Sequence, residues 1–189
     1  MATPEEMMAA VSTSMKQRTG RSIDEWVAAV QSSGIDPLDQ NAVRRWLKAE
    51  HGVPQNSQWA IAFEAARAAG WVEPTVEEYI VKQYEGARAP LRATYDAIAA
   101  AALELGDDVR TEGRSTYVPF VRARQFAAVQ PSTKTRVDLG LRFVEPPDSS
   151  RLQAVKNLAQ ATHKIELTSP AEVDEEVRSL LKVAYDQNG

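Results

Sequence analysis

Cysteine does not occur among the 189 residues of the chain. Disulfide bonds, thiolate zinc sites, iron–sulfur clusters and cysteine nucleophiles are therefore excluded. Histidine occurs only twice, as His51 and His163, so a histidine-rich metal site is excluded as well. The chain also lacks a glycine-rich phosphate loop, a nucleophile elbow and an HExxH motif. We therefore expect no metal and no cofactor, and the sequence leaves open whether the protein is an enzyme.

Long apolar runs are also missing. A membrane span needs about 18 apolar residues, whereas the longest such run, residues 97–105, is short and rich in alanine. Residues 1–6 are acidic and lack the apolar core of a secretory signal. We therefore expect a cytoplasmic protein that does not contact membranes. Because the net charge is −4, binding to nucleic acid would require a local basic patch.

Three capping boxes mark helix starts along the chain. In each, a Ser or Thr side chain caps a free backbone N–H, and a Glu three residues later reaches back to the N–H of the cap residue. The boxes are Ser22 with Glu25, Thr75 with Glu78, and Ser169 with Glu172. Each box predicts that a helix begins directly after its Ser or Thr.

The N-terminal part has the period of amphipathic helices. Three helices are predicted between residues 16 and 72, ending near residues 33, 50 and 69, and we expect tryptophans to build their small core. The tryptophans are Trp26, Trp46, Trp59 and Trp71. Residues 1–15 form a separate amphipathic arm that carries Met7, Met8, Val11 and Met15. Residues 73–189 form the second domain.

The second domain mixes helical and strand periods. Helices are predicted over residues 75–84, 89–105, 150–160 and 171–185, and strands over residues 115–121, 124–130, 134–144 and 162–168. In the third strand the apolar residues alternate with charged ones, which predicts a buried face and a charged open face. Short successive strands favour an antiparallel sheet packed with helices. The predicted fold class is α+β, with a three-helix N-terminal unit.

Several segments resemble known families. Residues 19–26 and 46–52 resemble a small bacterial helical domain of unknown function. Residues 121–140, 162–167 and 181–185 resemble a second uncharacterised domain, some of whose members are labelled predicted transport proteins and some of whose relatives lie beside restriction-type modules. The resemblance covers about residues 16–70 and 79–186. It implies a two-domain architecture and no particular chemistry.

The first candidate site is a basic sheet face. Between Arg110 and Arg142 there are seven basic and two acidic residues, a local excess of five. Arginine forks match phosphate oxygens, and aromatic rings stack on bases. The candidate anion-binding residues are Arg114, Arg122, Arg124, Lys134, Arg136 and Arg142, with Tyr117, Phe120 and Phe126 as candidate stacking residues. The alternative is that this face is solvated or pairs with the acidic last helix.

The second candidate site lies in the helical unit, which can be interpreted as a helix-turn-helix. Its third helix begins with polar donors for base edges, and its second helix supplies cations for phosphates. The donors are Gln55, Asn56 and Gln58, and the cations are Arg44, Arg45 and Lys48.

Two further interpretations belong to other functional classes. His163 shares strand parity with Ile165 and Leu167, so it is a candidate general base in a small-molecule or enzymatic pocket that Tyr117 and Arg136 would also line. The last interpretation is an interaction module in which the N-terminal arm docks on a second copy and forms a homo-oligomer. The leading hypothesis is a non-enzymatic binding protein for nucleic acid or another phosphate-bearing ligand.

Overall fold

The computed structural model describes residues 14–189, and the chain divides into two compact units between Glu73 and Pro74. We call the first the helical unit and the second the sheet unit. Of the predicted N-terminal arm, Met7, Met8 and Val11 lie outside the described residues, whereas Met15 is buried in the core of the helical unit.

The described part of the helical unit, residues 14–73, contains α1 (Ile23–Ser32), α2 (Gln40–His51) and α3 (Gln55–Ala68), and residues 14–19 are also helical. Its core is built from apolar side chains of all these segments. The large side chains that are almost fully buried there are Met15, Trp26, Val30, Val43, Leu47 and Ile61. The predicted three-helix unit therefore forms.

The prediction that all four tryptophans build this core is wrong. Trp26 is 2% exposed, whereas Trp59 is 50% exposed. The reason is helical geometry: the buried face of α3 is centred near Ile61, and a residue two positions away points about 200° around the helix. Trp59 therefore lies on the side of α3 that faces away from the core.

The predicted capping boxes at Ser22 and Thr75 are confirmed. In each, the Glu carboxylate accepts the backbone N–H of the cap residue at 2.7 Å. The third box, at Ser169, is also present, but it opens a short 3-10 helix, Pro170–Glu172. The α-helix that follows begins later than predicted and is capped by Asp174, whose side chain accepts from the N–H of Val177.

The sheet unit contains three α-helices and two short 3-10 helices, Gly86–Leu91 and Pro170–Glu172. The α-helices are α4 (Val76–Gln83), α5 (Arg92–Leu103) and α6 (Glu175–Asp186). The strands are β1 (Arg110–Thr111), β2 (Val118–Val121), β3 (Gln125–Gln130), β4 (Val137–Leu141), β5 (Gln153–Ala154) and β6 (His163–Leu167).

All six strands pair antiparallel in the order β1-β2-β3-β4-β6-β5. One face of the sheet packs against α5 and α6, where Ile98 and Leu181 join Leu139, Ile165 and other strand residues in a single apolar core. The predicted α+β fold class, with an antiparallel sheet covered by helices, is confirmed. No helix within residues 14–189 is long and apolar enough to cross a membrane.

The helix predicted over residues 150–160 does not form. The segment instead contains β5 and a loop, and the N–H of Val155 donates to the carbonyl of Thr162 at 2.9 Å in the hairpin with β6. Leu158 is buried, and Ala159 has a left-handed φ of 48°, which a helix cannot accommodate. Strand pairing and burial of Leu158 therefore outweigh the local helical period.

The prediction that β4 has a charged open face is also wrong, because every residue of this strand is buried. Asp138 is only 5% exposed. A Cβ built on Gly140 would lie 2.7 Å from Leu158 and 2.8 Å from Ala161, so the loop between β5 and β6 packs directly on the strand. The second face of the sheet is therefore partly covered by this loop.

Candidate functional site

A concave basic surface lies where α2 meets α3 in the helical unit. It encloses about 690 Å³, and we call it the basic cleft. It is lined by Asn41, Arg44, Arg45, Lys48, Gly52, Val53, Gln55 and Gln58. Among the described residues that line it, three are cations and none is a carboxylate, so their formal charge is +3.

The local sequence explains why these residues face one concavity. Arg44 and Lys48 are four residues apart on α2 and so share a helix face. Gly52 adopts a left-handed φ of 60° that ends α2, and its N–H donates to the carbonyl of Lys48 at 3.2 Å. Because α3 begins at Gln55, the last turns of α2 and the first turn of α3 lie side by side.

The cations of the basic cleft have no counterions within residues 14–189. Arg45 and Lys48 are exposed and form no ion pair there. Arg44 donates from Nη1 to Asn41 Oδ1 at 3.3 Å, and its Nε is buried without a hydrogen-bond partner in the same part of the chain. The positive charge of the cleft is therefore available to a ligand.

The first turn of α3 adds hydrogen-bond donors to the cleft. Pro54 occupies the N-cap position and cannot cap the helix with its side chain, so the first N–H groups of α3 lack the usual side-chain acceptor. Gln58 is buried and donates from Nε2 to the carbonyl of Val53 at 2.6 Å. The helix dipole adds partial positive charge at this end of α3.

An aromatic ring lies next to the basic cleft. The guanidinium carbon of Arg44 is 3.4 Å from the centroid of the Trp59 ring, a cation–π contact. Sequence reasoning placed Trp59 in the core and so missed it as a candidate. The helical period of residues 55–68 could have shown this, because Trp59 lies two positions from Ile61 and therefore about 200° around the helix from the apolar face.

The predicted basic sheet face is occupied largely by contacts within the chain. Arg114 pairs with Glu112 at 2.6 Å, and Arg122 pairs with Asp108 at 2.7 Å. The ion pair with Arg122, followed by the hydrogen bond from the Tyr185 hydroxyl, holds the pKa of Asp108 below its usual value. These two arginines are therefore neutralised locally.

Three other predicted cations have no carboxylate partner within the described part of the chain. Arg124 donates from Nη2 to the carbonyl of Gln187 at 3.1 Å, and Arg142 donates from Nη1 to Gln160 Oε1 at 2.7 Å. Lys134 is exposed and makes no polar side-chain contact among residues 14–189. The structure thus leaves part of the predicted set free to bind an anion.

The sixth predicted cation, Arg136, belongs to a mixed-charge cluster on the second face of the sheet. Its Nη1 is 3.0 Å from Glu166, and its Nε is 2.9 Å from Asp138 without hydrogen-bond geometry. Lys164 bridges the same carboxylates at 2.7 and 3.2 Å, and they raise its pKa, Glu166 more than Asp138. Two cations meet two carboxylates, so this part of the face is electrically balanced.

The strand register separates the residues predicted to line one pocket. His163 pairs with Leu141 at one end of the β4–β6 ladder, whereas Arg136 precedes the other end. Their alternation also places them on opposite faces of the sheet. His163 is partly buried, with its ring centroid 5.8 Å from that of Phe143. Arg136 and His163 therefore do not converge on one pocket.

The predicted stacking residues differ in accessibility. Phe120 and Phe126 are completely buried in the core, so neither can stack on a base. Tyr117 is partly exposed at the start of β2. Of the aromatic residues predicted for the sheet face, Tyr117 alone keeps accessible surface.

Comparisons with known proteins identify both parts of the chain. Residues 80–188 match the family described as Domain of unknown function (DUF5655), and residues 7–66 match the family described as Domain of unknown function (DUF4287). The two matches confirm the predicted resemblance to a two-domain architecture of uncharacterised families. Neither the curated proteins nor the solved structures contain a significant match to the chain.

Proposed function

We propose that this chain, which belongs to the DUF5655 family over more than half of its length, is a non-enzymatic binding protein for an anionic partner, with nucleic acid as the first candidate. The observation that carries the proposal is the basic cleft, where three cations that have no counterion among residues 14–189 surround a concave volume of about 690 Å³. We therefore assign the binding surface to the helical unit.

The chemistry of the cleft suits phosphate groups. Arg44 and Arg45 each present a planar fork of N–H donors that matches two phosphate oxygens, and Lys48 adds a compact positive charge. The uncapped N–H groups at the start of α3 are further donors for an anion. A phosphate-bearing polymer would engage several of these donors at once.

The basic sheet face is the second location. It keeps three cations without carboxylate partners among residues 14–189, and two of them, Arg124 and Arg142, donate hydrogen bonds within the chain. Those bonds would have to be shared or broken when an anion binds. We therefore expect the sheet face to contribute less than the basic cleft.

Fluorescence anisotropy with labelled mixed-sequence DNA and RNA tests both locations. The full chain is titrated at about 50 and 200 mM salt, because displacement of counterions makes phosphate binding salt-dependent. Two double variants are compared, Arg45→Ala with Lys48→Ala in the basic cleft, and Arg124→Ala with Lys134→Ala on the sheet face. Each removes two positive charges, so a difference between them reports location rather than net charge.

We expect the cleft variant to bind more weakly. The slope of the logarithm of its binding constant against the logarithm of the salt concentration should be shallower by about 1–2. The sheet-face variant should lose less affinity than the cleft variant. Loss of binding in the sheet-face variant alone would move the site to the sheet. Absence of binding by the unmodified chain at the lower salt would overturn the proposal for nucleic acid.

A further inference from the structure

We infer that the basic cleft recognises single-stranded nucleic acid, with an unpaired base stacked on Trp59 and the adjoining phosphates held by Arg45 and Lys48. This inference rests on the proposed function and names its ligand class. It is carried by the juxtaposition of a half-exposed indole with a cluster of cations that have no counterion among residues 14–189. The two are joined by Arg44, which lines the cleft and contacts the Trp59 ring.

The exposure of Trp59 argues for a stacking role. An indole that is 50% exposed leaves half of its large surface outside the core, although the core of the same unit is built from apolar side chains. Arg44 covers the ring at 3.4 Å and holds the indole beside the cleft. A base on the accessible part of the ring would bury that apolar surface and extend the stack begun by Arg44.

The neighbours of Trp59 on α3 complete the site. Gln55 lies four residues earlier and so shares a helix face with Trp59, and it also lines the cleft. Its amide can donate to and accept from the edge of a base. Phosphate contacts from α2, a stacking ring from α3 and an amide beside that ring are the components that single-stranded nucleic acid requires.

The same features disfavour a duplex. In a duplex the faces of the bases are covered by their neighbours, so an exposed ring has no base face on which to stack. Reading of the major groove depends instead on polar side chains at base edges. The first turn of α3 offers Gln55 and Asn56 for this purpose, but the next exposed residue on that face is the apolar Trp59. The helix-turn-helix interpretation is therefore the weaker one for this helix.

The test uses the full chain with three labelled probes of equal length, about a dozen nucleotides: a single strand, the corresponding duplex, and an abasic strand that keeps the sugar–phosphate backbone. Trp59→Ala removes the stacking ring. Trp59→Tyr keeps an aromatic ring and is the matched control. Circular dichroism of both variants verifies that the helices are retained.

We expect Trp59→Ala to weaken binding of the single strand by about 5-fold to 150-fold, the range for loss of one stacked base. It should leave binding of the abasic strand unchanged, and Trp59→Tyr should keep most of the affinity. If Trp59→Ala weakened both strands equally, the ring would act only by positioning Arg44, and base stacking would be overturned.

The remaining outcomes separate this inference from the proposed function. If the duplex bound as tightly as the single strand and Trp59→Ala had no effect, the inference would be overturned while phosphate binding by the cleft stood. If none of the three probes bound at low salt, the proposed function would fail together with the inference. If Trp59→Ala loses its helical circular dichroism, Trp59→Tyr decides the question. This variant must then bind the single strand more tightly than it binds the abasic strand, and equal affinities for the two strands would overturn base stacking.

Discussion

Arg122 and Asp108 form a close ion pair, with Nε 2.7 Å from Oδ2, at the point where the last helix meets the sheet. The Tyr185 hydroxyl donates to the other Asp108 oxygen at 2.7 Å, and the Arg122 guanidinium carbon lies 4.2 Å from the centroid of the Tyr185 ring. The last helix is thereby joined, across 77 residues of sequence, to two segments that lie 14 residues apart, all through one carboxylate. The hydrogen bond to Asp108 also raises the pKa of Tyr185.

The first prediction concerns acid stability. Because the pKa of Asp108 is lower in the folded chain than in the unfolded one, its contribution to stability is fully present above the unfolded value of about 3.9 and is lost as the pH falls through the folded value. Asp108→Asn should therefore flatten the dependence of the unfolding free energy on pH in the acid range. Urea unfolding between about pH 2 and pH 6 measures it.

Asp107→Asn is the matched control for loss of a surface carboxylate. Asp107 is the neighbouring residue, is exposed, and makes no side-chain hydrogen bond or ion pair in the portion of the chain that the structure describes. If the two variants had the same acid profile, the ion pair with Arg122 would not be the source of the effect.

The second prediction concerns the contact between β4 and the loop that follows β5. Gly140→Ala should destabilise the sheet unit by about 1–3 kcal/mol, because the new Cβ would overlap Leu158 and Ala161 in a packed region. Thermal or urea unfolding of the purified variant measures the loss.

Leu158→Ala supplies a rescue test for this contact. It removes the side chain that lies nearest to the added methyl group, so the double variant should be more stable than the sum of the two single losses predicts. Additive losses would show that the overlap is relieved elsewhere in the structure.

The third prediction concerns the mixed-charge cluster. Asp138→Asn should destabilise the sheet unit by about 1–3 kcal/mol, because it leaves Arg136 and Lys164 facing each other with Glu166 as their sole carboxylate among the described contacts. Glu166→Gln is the comparison, since the side chain of Glu166 is 32% exposed and water can replace its contacts in part. We expect Glu166→Gln to lower the unfolding free energy less than Asp138→Asn does. Equal losses of unfolding free energy would show that the burial of Asp138 does not set the size of the effect.

Local features were predictable from the sequence because their causes lie within a few residues. The capping box joins Ser22 to Glu25, which lies three residues later, and α1 begins at the residue after Ser22. The alternation of Val137, Leu139 and Leu141 likewise identified the face of β4 that joins the apolar core. These patterns were sufficient for the α+β fold class and for the order of most elements.

The candidate site depended more on tertiary structure. Counting charge from residue 110 to 142 predicted a basic sheet face, but β6 lies beside β4 and supplies both Lys164 and Glu166 to the same face. A charge count along one segment cannot show which carboxylates a neighbouring strand brings to it. The balance of charge at Arg136 was therefore decided by strand order.

The sequence by itself determined the helices that have caps, the strands that alternate, and the exclusion of cysteine chemistry, because each of these depends on residue type and near neighbours. The tertiary structure decided that residues 150–160 form a hairpin strand and a loop, since pairing with β6 satisfies their backbone and Leu158 fills the space above Gly140. It also decided which cations keep no counterion among residues 14–189, because that depends on residues brought together from distant parts of the chain.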